Sequence, residues 1–141
     1  MPNGLNALVD EVLRFRADPV YMVRSLWAID PTDQQKQLLT AAAKPGAKVA
    51  VRSGHGTGKT TSLAWLVLWG LICFDDVKIP CTAPTAHQLQ DVLWAEIAKW
   101  HDKMPGWFRD QIEIKADRVA VKGAEKTRFA VARTARKENP E

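Results

Sequence analysis

At 141 residues the chain has the length of one ordinary domain, and its hydrophobic share of 46% and charged share of 26% match a globular protein, not a disordered one. The net charge of +4 is mild; it permits a nucleic-acid partner but does not argue for one. The opening Met1-Pro-Asn-Gly lacks the charged and apolar regions of a signal peptide, and the longest apolar run, Leu63 to Phe74, is too short to span a bilayer.

Apolar residues at Leu8, Val9, Val12, Leu13 and Phe15 predict a helix over 6–17. Asp18-Pro19 restarts the chain, with Asp as N-cap and Pro in the first helical position, and a second helix follows over 20–27. Asp30-Pro31 ends it. Thr32-Asp-Gln-Gln35 opens a third helix, which stops at Lys44-Pro-Gly46. Gln34 and Gln35 admit two readings that spacing leaves open. Thr32-x-x-Gln35 is a capping box, in which the glutamine satisfies a backbone amide. A glutamine upstream of a phosphate loop can also read the adenine edge, because its amide offers both a donor and an acceptor.

Val49-Ala-Val-Arg-Ser-Gly-His-Gly-Thr-Gly-Lys-Thr-Thr61 reads as a short strand, a glycine-rich turn and the start of a helix. Its end, Gly58-Lys59-Thr60, is the tail of a P-loop. Such a loop needs glycines because its backbone curls around phosphate oxygens. The helix that follows points amides and dipole at the anion. Lys59 is the expected point charge on the outer phosphates, and the Thr60 hydroxyl the expected Mg²⁺ ligand. The pattern departs from the usual one at Ser53, where the first glycine normally stands.

The helix after the loop carries the longest apolar run and is expected in the core, with Trp65 and Trp69 at helical spacing. The six tryptophans read as core packing and not as a ligand cage. Cys73 and Cys81 read as buried free thiols of a reducing compartment, since their spacing is no metal pattern. Phe74-Asp75-Asp76 imitates the acidic strand of P-loop enzymes, but it continues the preceding helix without room for a turn, so these acids mark the helix end.

Residues 77–83 predict a strand, weakened by Pro80, which lacks a ladder donor. Thr85 to Gln88 forms another capping box, and the helix it opens runs to Met104 and stops at Pro105-Gly106. Leu89, Leu93, Ile97, Trp100 and Met104 are its expected buried stripe. His87 and His101 fall outside that stripe and read as solvated, not as ligands. Residues 111–115, 118–122 and 127–132 predict a small antiparallel meander whose last strand can join the main sheet, with turns at Asp117 and Gly123. The basic tail reads as a solvated end, or as a segment bringing Arg133 or Arg136 to nucleotide or DNA.

Arg52-Ser-Gly-His-Gly-Thr-Gly-Lys-Thr60, Thr82-Ala-Pro-Thr-Ala-His-Gln88 with Trp94 after it, and Arg128-Phe-Ala-Val-Ala-Arg-Thr134 together resemble the N-terminal ATPase region of the large terminase subunit of tailed phages. That protein is the motor that drives viral DNA into the procapsid. The resemblance covers the chain from about Leu26 to the end. The P-loop is shared with many NTPases; the order and spacing of the other segments narrow the choice.

The resemblance implies an α/β P-loop NTPase fold of the ASCE/RecA-like three-layer kind. Residues 1–45 would be a helical preface and 46–141 a partial ATPase domain. Gly54, His55, Gly56, Thr57, Gly58, Lys59, Thr60 and Thr61 match the phosphate loop. Gln35, ahead of Gln34, matches the adenine reader. Thr85 and Gln88 fall in the segment that couples nucleotide state to DNA. Some terminases carry an arginine finger inside the loop, where it stabilises charge on the transferred phosphoryl group. Here His55 stands at that position and Arg52 is the nearest arginine.

The implied ligands are ATP and Mg²⁺. The implied partners are double-stranded DNA, the portal and the small terminase subunit, with homo-oligomers in the full-length protein, and the location is the cytoplasm of the bacterial host, with no membrane. No apolar strand ending in Asp-Glu follows the loop, and no nuclease domain follows either. The chain is therefore expected to be the front part of a terminase, binding nucleotide but lacking the acids for efficient hydrolysis, so its own enzymatic activity is left open. Without the missing strands, 48–52 would leave an open apolar edge. Competing readings are a helicase-like motor fragment, a small P-loop kinase, and a non-enzymatic prophage remnant.

Overall fold

The computed structural model describes residues 4–46, 58–83 and 89–134. The expected strand at 48–52, the loop residues Arg52, Gly54, His55, Gly56 and Thr57, the Thr85–Gln88 capping box with His87, and Arg136 in the tail lie outside the described residues. The described part is a mixed α/β structure built on a four-stranded mixed sheet.

Three helices come first: α1 (Gly4–Ala17), α2 (Pro19–Trp27) and α3 (Asp33–Ala42). The Asp18 carboxylate accepts the Tyr21 amide at 3.1 Å and Pro19 opens α2, as the sequence predicts. The Thr32–Gln35 capping box is complete in both directions, at 3.2 and 2.9 Å.

Next comes α4 (Lys59–Cys73), around which the rest is packed. It is apolar on every side, and a helix of that kind must be enclosed. Helices α1, α2 and α3 and the sheet all contact it. The Trp69 indole donates to the Phe15 carbonyl at 2.7 Å, joining α4 to the end of α1. At Gly70 a β-carbon would stand 2.9 Å from Cδ1 of Ile79, so the absent side chain leaves room for the end of Ile79 from the following strand. Phe74 caps α4, and Asp75-Asp76 form the bend after it, so this pair marks the helix end as expected.

After strand β1 (Val77–Ala83), the next described element is a π turn, Leu89–Trp94, which continues as α5 (Ala95–Asp102). Of the expected stripe, Ile97, Trp100 and Met104 are buried and Leu93 is half-buried. The π turn adds Trp94, whose indole donates to the Lys115 carbonyl at 2.9 Å. As expected, this helix ends just before Pro105-Gly106, with Lys103 as its C-cap. A short helix, α6 (Gly106–Gln111), starts there with Pro105 as its N-cap, and so Gln111 is helical instead of opening a strand.

Strands β2 (Ile112–Ile114), β3 (Arg118–Val121) and β4 (Arg128–Thr134) form the expected antiparallel meander, and β4 pairs in parallel with β1 from Val77↔Arg128 to Ala83↔Thr134. The order is β1-β4-β3-β2. The Val77 amide donates to the Thr127 carbonyl at 2.8 Å, on the β4 side. Alternation then turns the nitrogen of Pro80 to the opposite edge, so the proline removes no bond from this ladder.

One continuous core joins the first three helices to α4, α5 and the sheet. Both cysteines are buried free thiols, as expected. Burial pushes the Cys73 thiol up to about 12 and the Cys81 thiol up to about 11. Among the described residues, no helix is long and apolar enough to cross a membrane.

Candidate nucleotide-binding site

The sequence points to the N-terminus of α4. Gly58, its N-cap, has φ +80°, a left-handed conformation that L side chains rarely adopt. The Ser62 amide is the one that closes onto Gly58, meeting its carbonyl at 3.0 Å. The amides of Lys59, Thr60 and Thr61 precede it, and the Gly58 cap has no side chain to take them. Lys59 is exposed and Thr60 is half-buried. A turn with amides unpaired within the helix, a lysine and a hydroxyl has the groups that a Mg²⁺-bound phosphate requires.

Gln35 lies against this turn. Its Nε2 donates to the Gly58 carbonyl at 3.3 Å, while its Oε1 accepts the Thr32 amide. The two readings of this glutamine are therefore compatible. The capping box uses one lone pair and the Gly58 contact uses one N–H, so the contacts to described residues leave one of each on the amide. Gln34 is exposed and makes no such contact among the described residues. Arg133 is exposed near the end of β4.

Thr61 is arranged differently from Thr60. Its hydroxyl donates to Oε2 of Glu96 on α5 at 2.7 Å. The same oxygen accepts the Trp100 indole at 2.8 Å and stands 3.7 Å from Nζ of Lys99. Burial alone would raise the Glu96 carboxyl, but the Thr61 and Trp100 hydrogen bonds and the Lys99 charge outweigh it and hold it below the usual carboxylate range. Sequence reasoning missed Glu96. A glutamate one residue before the stripe position Ile97 looks like solvated surface, and its partner on α4 is 35 residues away.

His101 is also more engaged than expected. It is half-buried, and its Nε2 lies 2.9 Å from the carbonyls of both Arg109 and Ile112, tying α5 to the far end of α6. Nε2 must carry the proton to serve two carbonyls. Among the described residues, no cluster of three or more His, Cys, Asp or Glu side chains could hold a metal. The cavity of about 490 Å³ between α4 and β1 is lined by apolar groups such as Leu66, Val67, Ile79 and Leu93, chemistry unsuited to phosphate.

No protein-family model matches the chain, and neither the curated proteins nor the solved structures contain a match to it.

Proposed function

We propose that the chain binds ATP with Mg²⁺ at the N-terminus of α4, as the nucleotide-binding part of a DNA-packaging motor of the terminase large-subunit type, a P-loop NTPase. The observation that carries the reading is the contact between Gln35 and Gly58. Two sequence features 23 residues apart, one assigned to adenine and one to phosphate, meet in one place. In this reading the first-turn amides of α4 and Lys59 hold the phosphates, and the Thr60 hydroxyl ligates Mg²⁺. The remaining donor and acceptor of Gln35 meet the adenine edge. Mg²⁺ would supply charge neutralisation between phosphate oxygens. Double-stranded DNA, the portal and the small subunit are the proposed partners of the longer motor.

Thermal unfolding with and without Mg·ATP, beside Lys59→Ala, tests the binding claim. Ligand at a hundred times its Kd adds about 2.7 kcal/mol, a shift of several degrees. The expected result is a shift in the unaltered chain that Lys59→Ala abolishes. A cooperative transition that Mg·ATP does not move in the unaltered chain sinks the reading.

A further inference from the structure

Glu96 is the one acidic side chain that the described structure joins directly to the first turn of α4. A single oxygen, Oε2, takes the Thr61 hydroxyl, the Trp100 indole and the Lys99 ammonium. The side chain is 20% exposed, so these contacts are largely shielded from water. Thr61 adjoins Thr60, the proposed Mg²⁺ ligand. On the other side, the Trp100 ring meets those of Trp65 and Trp27 edge-on at 5.3 and 5.5 Å, and the Trp27 indole donates to the Trp100 carbonyl at 2.9 Å. An unbroken set of contacts thus runs from the turn beside the lysine to three packed indoles on α2, α4 and α5.

We propose that Glu96 is a positioning residue of the nucleotide site, which holds the first turn of α4 through Thr61 and transmits occupancy of that turn to the Trp100 cluster. The proposal rests on the reading of the α4 N-terminus as a nucleotide site. The physical argument has two parts. A hydroxyl donates one proton, so Thr61 bound to Glu96 fixes the rotation of its side chain and with it the seating of the turn beside Thr60. A Mg²⁺-bound polyphosphate arriving at that turn changes the field at the Glu96 carboxylate. The Trp100 indole N–H, 2.8 Å from that carboxylate, experiences the change directly. Lys99 and Lys103 lie within 5.2 Å of the Trp100 ring, so the ring already sits among charges whose balance Glu96 sets.

The test uses the full chain and reads two quantities separately, Mg·ATP affinity by equilibrium dialysis and the tryptophan emission change on Mg·ATP addition. The variants are Glu96→Gln, Thr61→Val, Thr61→Ser and Trp100→Phe. In the unaltered chain, Mg·ATP binds and the emission changes. Glu96→Gln and Thr61→Val each weaken binding about tenfold and remove most of the emission change, and the double variant is no worse than either single one, as for two ends of one contact. Thr61→Ser keeps the hydroxyl and behaves like the unaltered chain. Trp100→Phe loses the emission change, whatever its affinity for Mg·ATP.

Binding and emission in Glu96→Gln and Thr61→Val that equal those of the unaltered chain overturn the proposal while leaving the nucleotide site intact. An emission change that survives in Trp100→Phe overturns the transmission to that residue. Failure of the unaltered chain to bind Mg·ATP in dialysis overturns the nucleotide reading itself, and the proposal with it. A Glu96→Gln chain that does not unfold cooperatively is replaced by the Thr61 pair, in which valine exchanges the hydroxyl for a methyl and serine keeps the hydroxyl on a half-buried side chain, and this pair decides the question alone.

Discussion

Nε2 of Gln35 stands 3.3 Å from the carbonyl oxygen of Gly58, and a β-carbon added at Gly58 would come within 2.5 Å of that nitrogen. The glutamine and the glycine therefore constrain each other. Gly58→Ala meets two penalties of different kinds. Its φ of +80° is strained for any L side chain, at about 1–2 kcal/mol. The contact with Gln35 is softer, because the amide is the far end of a flexible side chain and can swing away at the cost of its hydrogen bond. Chemical denaturation should place Gly58→Ala about 2 kcal/mol below the unaltered chain. Gln35→Ala added to it should recover almost nothing, because the backbone strain remains and the capping box is lost as well. Recovery of most of the loss in the double variant would show that the clash, and not the backbone, was limiting.

That pair also shows where local pattern stops carrying information. The capping box was legible because its partners are three residues apart, and turn and helix geometry alone brings them together. The reach of Gln35 to Gly58 was not, because only the packing of α3 on α4 creates it. The same division holds elsewhere. The meander was legible from alternation in residues of the β2–β4 region and from Gly123, whose φ is +84°. α6 was hidden because Pro105-Gly106 is as good a helix start as a helix stop: proline fixes the extended N-cap, and on the first turn Phe108 is half-buried while Trp107 stays exposed. Phe108 then packs at 5.9 Å against the Phe15 ring, a tertiary contact with α1 that no local rule supplies. Glu96 was hidden for the strongest reason. Charge in a helical pattern signals solvent, and the exception is made by a hydroxyl and an indole that the fold delivers.

Trp65 and Trp69 lie one turn apart on α4, and both are buried, yet their indoles are treated oppositely. Trp69 donates to the Phe15 carbonyl at 2.7 Å, whereas the Trp65 Nε1 has no partner among the described residues. Trp→Phe removes the same volume at both positions. At Trp69 it also removes a buried hydrogen bond, although the Phe15 carbonyl keeps the Asp18 amide at 3.1 Å. At Trp65 it removes an unsatisfied donor, which offsets part of the packing loss. Urea titrations should find Trp69→Phe costlier than Trp65→Phe by about 1 kcal/mol. Equal costs, or the reverse order, would mean that ring packing against Trp27 and Trp100 outweighs the polar difference.

The two thiols give the fold an alkaline limit. In the unfolded chain a cysteine ionises near its ordinary value of 9.0, but burial moves Cys73 to about 12 and Cys81 to about 11. The sign follows directly. Between the unfolded and folded values, the folded chain retains protons that the unfolded chain has released, so stability is complete below about pH 9 and falls as pH rises through the folded values. Each thiol contributes a slope of at most about 1.4 kcal/mol per pH unit within that window. Melting temperature measured from pH 8 to 10.5 should therefore fall more steeply for the unaltered chain than for Cys73→Ala/Cys81→Ala, whatever the absolute stability of the variant. A thiol reagent at pH 8 should leave both cysteines unmodified in the native chain and label both in guanidinium. Parallel slopes for the two chains, or rapid labelling of the native one, would place the thiols in contact with water and remove them from the core that α4 and β1 share.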